Sequence, residues 1–245
     1  MSELIKTEAI VLRKLDFGDS SRIVHFFTYD YGKISAIIKG ARSPKSRTGA
    51  ALDTFNYVQI VIYKKENRDI QLVREIDLLN HFTVVKDDLE RMQYAQAIVE
   101  LLSGLTAENE AHTRLFTGTV KALELLNIQT ADPKYTFTKY FIFFIKEIGY
   151  AIHYENCSVC GRILTTEQDL AFNYDSGFVC QECCQDRLVH TEINKELFKL
   201  YICLNQRKND VKYLSRDLDR ILQMMTKFLK YNLTEFKGLK SLELI

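Results

Sequence analysis

"KISAIIK" (residues 33–39) decides how the first third of the chain is read. Ile34, Ala36 and Ile38 alternate with Lys33, Ser35, Ile37 and Lys39, the period of two expected of a strand with one buried face. Working outward, "RIVHFFT" (22–28) and "TFNYVQIVIY" (54–63) are rich in β-branched and aromatic residues, which suit a pleated, half-covered surface. "YDYG" (29–32) and "KENRD" (65–69) read as hairpin turns. With "TEAIVL" (7–12) and "DIQLVREI" (69–76) this gives five strands with no helix between most of them. The order predicts a small closed or Greek-key barrel.

From about Asp87 the period becomes helical. Leu89, Met92, Ala95, Ile98, Val99 and Leu102 are spaced as one buried face, and Leu115, Val120, Leu123 and Leu126 as a second helix. Asp132-Pro133 predicts a helix start, because Asp caps free N–H groups and Pro tolerates the first helical position. That helix, to about Ile148, should be almost wholly buried. Two more follow at roughly 194–203 and 210–231. The expected organisation is α+β: a barrel domain over 1–80, then a helical domain over 81–245 with a cysteine segment inserted at about 153–187.

The chain is ordinary for a globular protein, with 245 residues, 47% hydrophobic and 27% charged. A chain of this mass folds with about 11,000 Å² exposed against about 41,000 Å² unfolded, ample for a real core. The N-terminus lacks an apolar signal-peptide core, and the most apolar stretch, around 140–152, is too short to cross a bilayer. A soluble, cytoplasmic protein is expected. Net charge is +1, divided as 13 Lys/Arg against 10 Asp/Glu in residues 1–80 and 20 against 22 in the rest. Wholesale polyanion binding is therefore not expected, and local clustering has to carry any such role.

Five of six cysteines lie in "CSVCGRILTTEQDLAFNYDSGFVCQECC" (157–184). Cys157/Cys160 and Cys180/Cys183 form two Cys-x-x-Cys knuckles, each offering two thiolates at the bite of a tetrahedral Zn²⁺. Gly161 supplies the positive φ that a knuckle turn needs, and Ser176-Gly177 a turn that presents the second pair. One structural zinc is expected. It would order a segment with little apolar content of its own, and Cys184 is an alternative fourth ligand to Cys183. The competing catalytic reading takes "HYE" (153–155) with Cys180 and Cys183 as a zinc deaminase site. It leaves Cys157 and Cys160 without a purpose, and four thiolates leave no position for an activated water.

"KGARSPKSRTGAALDTF" (39–55) is a loop by its Gly, Ser and Pro content. Its Lys39, Arg42, Lys45 and Arg47 give +4, with no acid between Asp30 and Asp53. Cations mixed with aromatics on a small barrel match single-strand binding, and Lys33 stands beside Tyr29 and Tyr31 on the adjoining hairpin. A second basic run, 207–230, carries seven Lys/Arg against three Asp. Arg216, Arg220 and Lys227 share a helix side, which is expected to be a solvated face balanced by Asp217 and Asp219. No phosphate-cradling glycine loop, Gly-x-Ser-x-Gly or carboxylate pair is present.

"TEAIVLRKLDFGDSSRIVHFFTYDYGKISAIIKGARSPKSR", "FNYVQIVIY", "CSVCG…SGFVCQEC" and the closing "KGLKSLELI" together, in order and spacing, resemble the bacterial recombination mediator family RecO. The resemblance implies an N-terminal OB-fold barrel joined to a helical domain carrying zinc. It also implies a non-enzymatic role in DNA repair: binding single- and double-stranded DNA, annealing complementary strands, acting with RecR, contacting single-stranded DNA-binding protein (SSB) and helping load RecA. Location at the nucleoid follows. The motif match places DNA contacts at Lys39, Arg42, Lys45 and Arg47, with Lys33 and Arg13 as further candidates.

Overall fold

The computed structural model describes residues 3–43, 48–184, 191–206 and 212–243. Strands β1 (Glu3–Phe17), β2 (Ser21–Thr28), β3 (Gly32–Ile38), β4 (Tyr57–Lys64) and β5 (Ile70–Asn80) close into a barrel in the order β1-β2-β3-β5-β4. Neighbours are antiparallel except β3 and β5, which pair in parallel. β1 pairs β4 through Glu3–Ile10 and β2 through Ala9–Phe17, with a bulge between Val11 and Arg13. A bulge bends the strand and lets one long segment follow a small barrel. The alternation in "KISAIIK" is realised: Ile34, Ala36 and Ile38 point inward with Val24, Phe26, Val58 and Ile60. A 3-10 turn, Ala50–Leu52, adds Ala51 and Leu52 to that core.

By contacts, the chain forms two compact units, Met1–Pro133 with Lys240–Ile245, and Lys134–Leu239. The first contains the barrel and helices α1 (Thr83–Asp87), α2 (Leu89–Leu105) and α3 (Thr113–Leu126). Phe27 lies on the outer face of β2, yet it is fully buried because Phe116 of α3 covers it at 5.9 Å. Phe116 also meets Tyr29 edge-on at 5.6 Å and Tyr57 at 6.3 Å.

Of the expected α2 face, Ala95, Ile98, Val99 and Leu102 are buried, but Leu89 and Met92 at its start are 67% and 37% exposed, and Arg91 is buried instead at 6%. The helix phase is set by polar anchors at its start. Asp88 caps α2 by accepting from the Arg91 backbone N–H at 3.0 Å. The Arg91 guanidinium then donates to the carbonyls of Leu126, Ile128, Gln129 and Ala131 at 2.8–3.0 Å. These carbonyls lie at and beyond the C-terminus of α3, where a cation is favoured and free acceptors need donors.

The second unit holds α4 (Pro133–Glu147), β6 (Leu170–Asn173), β7 (Gly177–Cys180), α5 (Gln181–Cys184), β8 (Thr191–Ile193), α6 (Lys195–Asn205) and α7 (Ser215–Asn232). The strands form a sheet in the order β7-β6-β8. α4 starts at Pro133 as expected, and most of its residues from Thr136 to Ile145 are buried. α7 buries Met224 and Met225, and α6 buries Cys203. The expected start of the last helix at Asp210 lies outside the described residues. No helix among the described residues is long and apolar enough to cross a membrane.

Replacing Arg91 by Met should keep the aliphatic volume and remove the guanidinium from four carbonyls, of which Ile128 keeps a backbone donor, the Ala131 N–H. The expected loss is about 3–5 kcal/mol, since breaking a buried charged network strands its partners. A urea titration of the full chain checks this, and a midpoint within error of the parent would refute the role given to Arg91.

Candidate nucleic-acid interface and metal centre

The two knuckles meet where β7 runs beside the first of them. Cys157 N–H donates to the Arg162 carbonyl at 2.8 Å, Gly161 N–H returns to the Cys157 carbonyl at 3.0 Å, and Gly161 has φ +72°. Ser158 N–H ties this turn to the Phe178 carbonyl of β7 at 2.9 Å. Across the turn, Asn173 Oδ1 accepts from the N–H groups of Asp175 and Ser176, and Gly177 takes φ +95°, which sends β7 back toward Cys180. Cys183 sits on the short α5 that follows. The sulfurs of Cys157, Cys160, Cys180 and Cys183 all lie within 4.8 Å of one another.

This donor set suits a tetrahedral, thiophilic cation. Cys157 and Cys180 are buried, and Cys180 N–H points at Cys157 Sγ at 3.4 Å. Burial works against the Cys157 thiolate, but N–H groups of Cys160, Cys180 and Val159 outweigh it and bring the thiol down to about 6. Cys183 is pushed up to about 12 by its contacts with the sulfurs of Cys180 and Cys160. Four sulfurs this close cannot all be anionic without a cation among them. Outside the cluster, Arg162 and Glu182 form an exposed ion pair that links the two knuckles.

Cys184 is not a member of the cluster. Its thiol donates to the Cys180 carbonyl at 3.1 Å, which makes it a brace for α5. His153 and Glu155 are exposed and lie in a cleft with Ile142, Ile145, Lys146 and Tyr201, away from the sulfurs. The deaminase arrangement is not assembled. The segment also has more core of its own than its sequence implied. Phe172 and Phe178 are fully buried, and Phe178 packs edge-on against Phe172, Phe198 and Tyr201 at 5.0, 5.2 and 4.9 Å.

At the barrel, the candidate cations separate into groups. Lys39 is exposed, as is Arg13, which follows the bulge and shares a row with His25 and Ser35. Arg42 reaches the tip of the β1–β2 hairpin, donating to the Gly18 carbonyl at 3.2 Å and pairing with Asp16 at 3.4 Å. Lys45 and Arg47 lie outside the described residues. Lys33 lies near the start of β3, six residues and about 20 Å from Lys39, which follows the strand's end. Its ammonium donates to the Ser103 carbonyl at 2.7 Å and pairs with Glu108 at 3.6 Å, and its side chain is 13% exposed. The rings near it have partners too: Tyr29 meets Phe116, and Lys64 sits over Tyr31 at 4.1 Å.

Between Arg13 and Lys39 the outer face is apolar. Leu15, Ile23 and Ile37 are paired across β1, β2 and β3, with Phe17 one pair further along. Leu15 is 39% exposed and Phe17 52%.

The family model described as "Recombination protein O N terminal" matches residues 1–82, and "Recombination protein O C terminal" matches 86–243. The chain belongs to the RecO family. It is 32% identical over 181 residues to the DNA repair protein RecO of Prosthecochloris aestuarii, covering 71% of this chain and 69% of that one. The RecO protein of Chloroherpeton thalassium is 24% identical over 250 residues, covering 98% and 96% respectively. That of Acetivibrio thermocellus is 29% identical over 182 residues, covering 74% and 71%. The family is one of DNA repair and recombination.

Within this RecO chain, one polar cluster had no motif to announce it. Lys14 faces inward with Val24 and bonds Asp53 at 2.5 Å. Lys86 donates to Asn56 Oδ1 at 2.5 Å and approaches His81 Nδ1 at 3.1 Å. Burial would raise the Asp53 carboxyl, but Lys14, Lys86 and His81 hold it below its ordinary value of 3.8. Burial pulls the Lys86 ammonium down. The cluster joins three separate segments of the chain, at Lys14, at Asp53 and Asn56, and at His81 and Lys86, so no local spacing announces it.

Two outcomes follow from this geometry. Cys183→Ser should lower bound metal below one ion per chain, whereas Cys184→Ser should leave it at one; metal analysis of both variants distinguishes them, and equal loss would return Cys184 to the ligand set. A depressed carboxyl stabilises above its unfolded value and loses that contribution as pH falls through the folded one. Asp53→Asn should therefore flatten the acid limb of a Tm–pH profile, by less than about 1 kcal/mol because the group is well hydrated. An unchanged limb below pH about 4 would contradict this.

Proposed function

We propose that this chain is a non-enzymatic recombination mediator of the cytoplasm, working on nucleoid DNA. It binds single- and double-stranded DNA through the barrel, anneals complementary strands and, with RecR, helps load RecA onto SSB-coated single strands. The observation that carries the reading is the outer apolar strip of exposed Leu15 and Phe17 with half-buried Ile23 and Ile37, and Arg13 and Lys39 beside it. Phe17 offers a ring on which a base can stack, the aliphatic side chains flank it and the cations follow the phosphates, a division of labour like that by which small barrels hold single strands without reading sequence. Membership of the RecO family supports the same assignment.

On this reading Arg13, Lys39, Lys45 and Arg47 are the phosphate contacts. Arg42 shapes the loop by holding the β1–β2 tip as well as offering charge, and Lys33 is given mainly to anchoring β3. The cysteine cluster holds one structural Zn²⁺. Four thiolates around a tetrahedral ion leave no position for substrate or water, so the metal orders the chain and takes no part in bond chemistry. Annealing needs none: phosphates on two strands are neutralised, the strands are brought together, and base pairing supplies the specificity.

The test is annealing of SSB-coated complementary oligonucleotides, with single-strand affinity measured across salt. Four phosphate contacts give a log–log slope of roughly −3 at about −0.7 per contact. Arg13→Ala with Lys39→Ala should make the slope shallower by roughly 1.4 while leaving the unfolding midpoint within error. Salt-independent binding, or no acceleration of annealing at low salt, would replace this reading with that of a protein-interaction scaffold.

A further inference from the structure

α7 carries a face that the charge count of its sequence conceals. At 100° per residue, Arg216, Arg220, Gln223, Lys227 and Lys230 fall within a stripe about 80° wide on this 18-residue helix. All five side chains are exposed. The stripe extends about 21 Å from Arg216 to Lys230 at 1.5 Å per residue.

The acids that should balance it are committed elsewhere. Asp217 turns back to cap the helix, accepting from the Leu214 N–H at 3.2 Å. Asp219 pairs with Lys134 of α4 at 2.7 Å, off the edge of the stripe. Among the described residues, Arg216, Lys227 and Lys230 have no carboxylate within 4 Å, and Arg220 touches only the Glu192 backbone carbonyl at 3.2 Å. Opposite the stripe, Leu218, Ile221, Met225 and Leu229 are buried in the unit's core. The helix is therefore rigidly seated with an unbalanced row of cations and one amide facing water.

We propose that this α7 stripe is a second phosphodiester-backbone contact, separate from the barrel, that takes a nucleic-acid strand along its length. Four cations in a row over about 21 Å fit a linear polyanion. An anchored peptide fits less well, because no exposed aliphatic pocket interrupts the row. Gln223, at its centre, can donate to a phosphate oxygen. The inference rests on the DNA-annealing reading, and gives it what annealing requires: a place for phosphates beyond those gripped by the barrel.

The experiment uses the full chain with a photo-crosslinker in place of Gln223, and in parallel the triple variant Arg216→Gln, Lys227→Gln, Lys230→Gln. The probe is a 5′-labelled dT oligonucleotide. A labelled crosslink at position 223 that disappears in high salt is expected, with a salt slope about 2 shallower in the triple variant. The charge-preserving variant Arg216→Lys, Lys227→Arg, Lys230→Arg should restore the parental slope, which separates lost charge from lost fold. No crosslink, together with an unchanged slope while the protein still binds DNA, overturns this inference and leaves the barrel reading intact. A parent chain that binds no DNA at all overturns both. An unchanged DNA slope with lost binding of a poly-glutamate peptide would assign the stripe to an acidic protein partner instead, and also overturn the inference.

Discussion

Barrel closure depends on one strand pairing twice. β1 is long enough to join β4 with its first half and β2 with its second, and the bulge at its middle turns it from one partner to the other. With the parallel β3–β5 pair this closes the barrel's ring of strands. The same bulge decides where charges go. Beyond it, Arg13 faces outward with His25, while Lys14 faces inward with Val24 and finds Asp53. The strand's far end carries Asp16 to Arg22 and Arg42, so the tip of the hairpin and the start of the basic loop are held together. The apolar strip and the cations beside it are a consequence of how β1 closes the ring.

The second unit relies on two unequal forces in its cysteine segment. Structural zinc binding supplies on the order of 10–16 kcal/mol in isolated finger peptides. Burying a Phe supplies only about 1.5–3 kcal/mol. The knuckle turns have few buried groups besides Cys157 and Cys180, so a cation held by the four sulfurs would be their main source of order. The sheet behind them is different, because Phe172 and Phe178 are locked among Phe198, Tyr201 and Phe228. A cation at the sulfurs would order the turns over a sheet that already has hydrophobic backing, as a local clasp and not as the foundation of the unit.

What was legible in the sequence was whatever repeats at a fixed spacing. The strand alternation of "KISAIIK", the Cys-x-x-Cys pairs and the glycines at positive φ each carry their geometry within a few residues. Contacts made by long side chains across many residues were hidden. Lys33 read as a surface cation until the Ser103 carbonyl, 70 residues on, was found to hold it. Leu89 and Met92 read as core until Asp88 and Arg91 were seen to set the phase of α2 from its polar start. The cysteine segment read as having little apolar content of its own, because the rings that meet Phe172 and Phe178 come from α6 and α7.

Net charge is a poor index of phosphate binding in this chain for the same reason. The total of +1 counts every acid as though it faced the same solvent as every base. In the folded chain Asp16 is paired with Arg22 and Arg42, Asp53 with Lys14, and Asp219 with Lys134, while Asp217 closes a helix end. These acids no longer oppose Arg13, Lys39 or the α7 row. What remains is modest, locally unbalanced charge on a nearly neutral body. The annealing role proposed above is well served by that condition. Strongly cationic surfaces would hold the product duplex as firmly as the separate strands, because a duplex carries more charge per unit length. On that proposal, short rows of exposed cations, each contact weakened by salt, would gather strands and release them once pairing has supplied the energy.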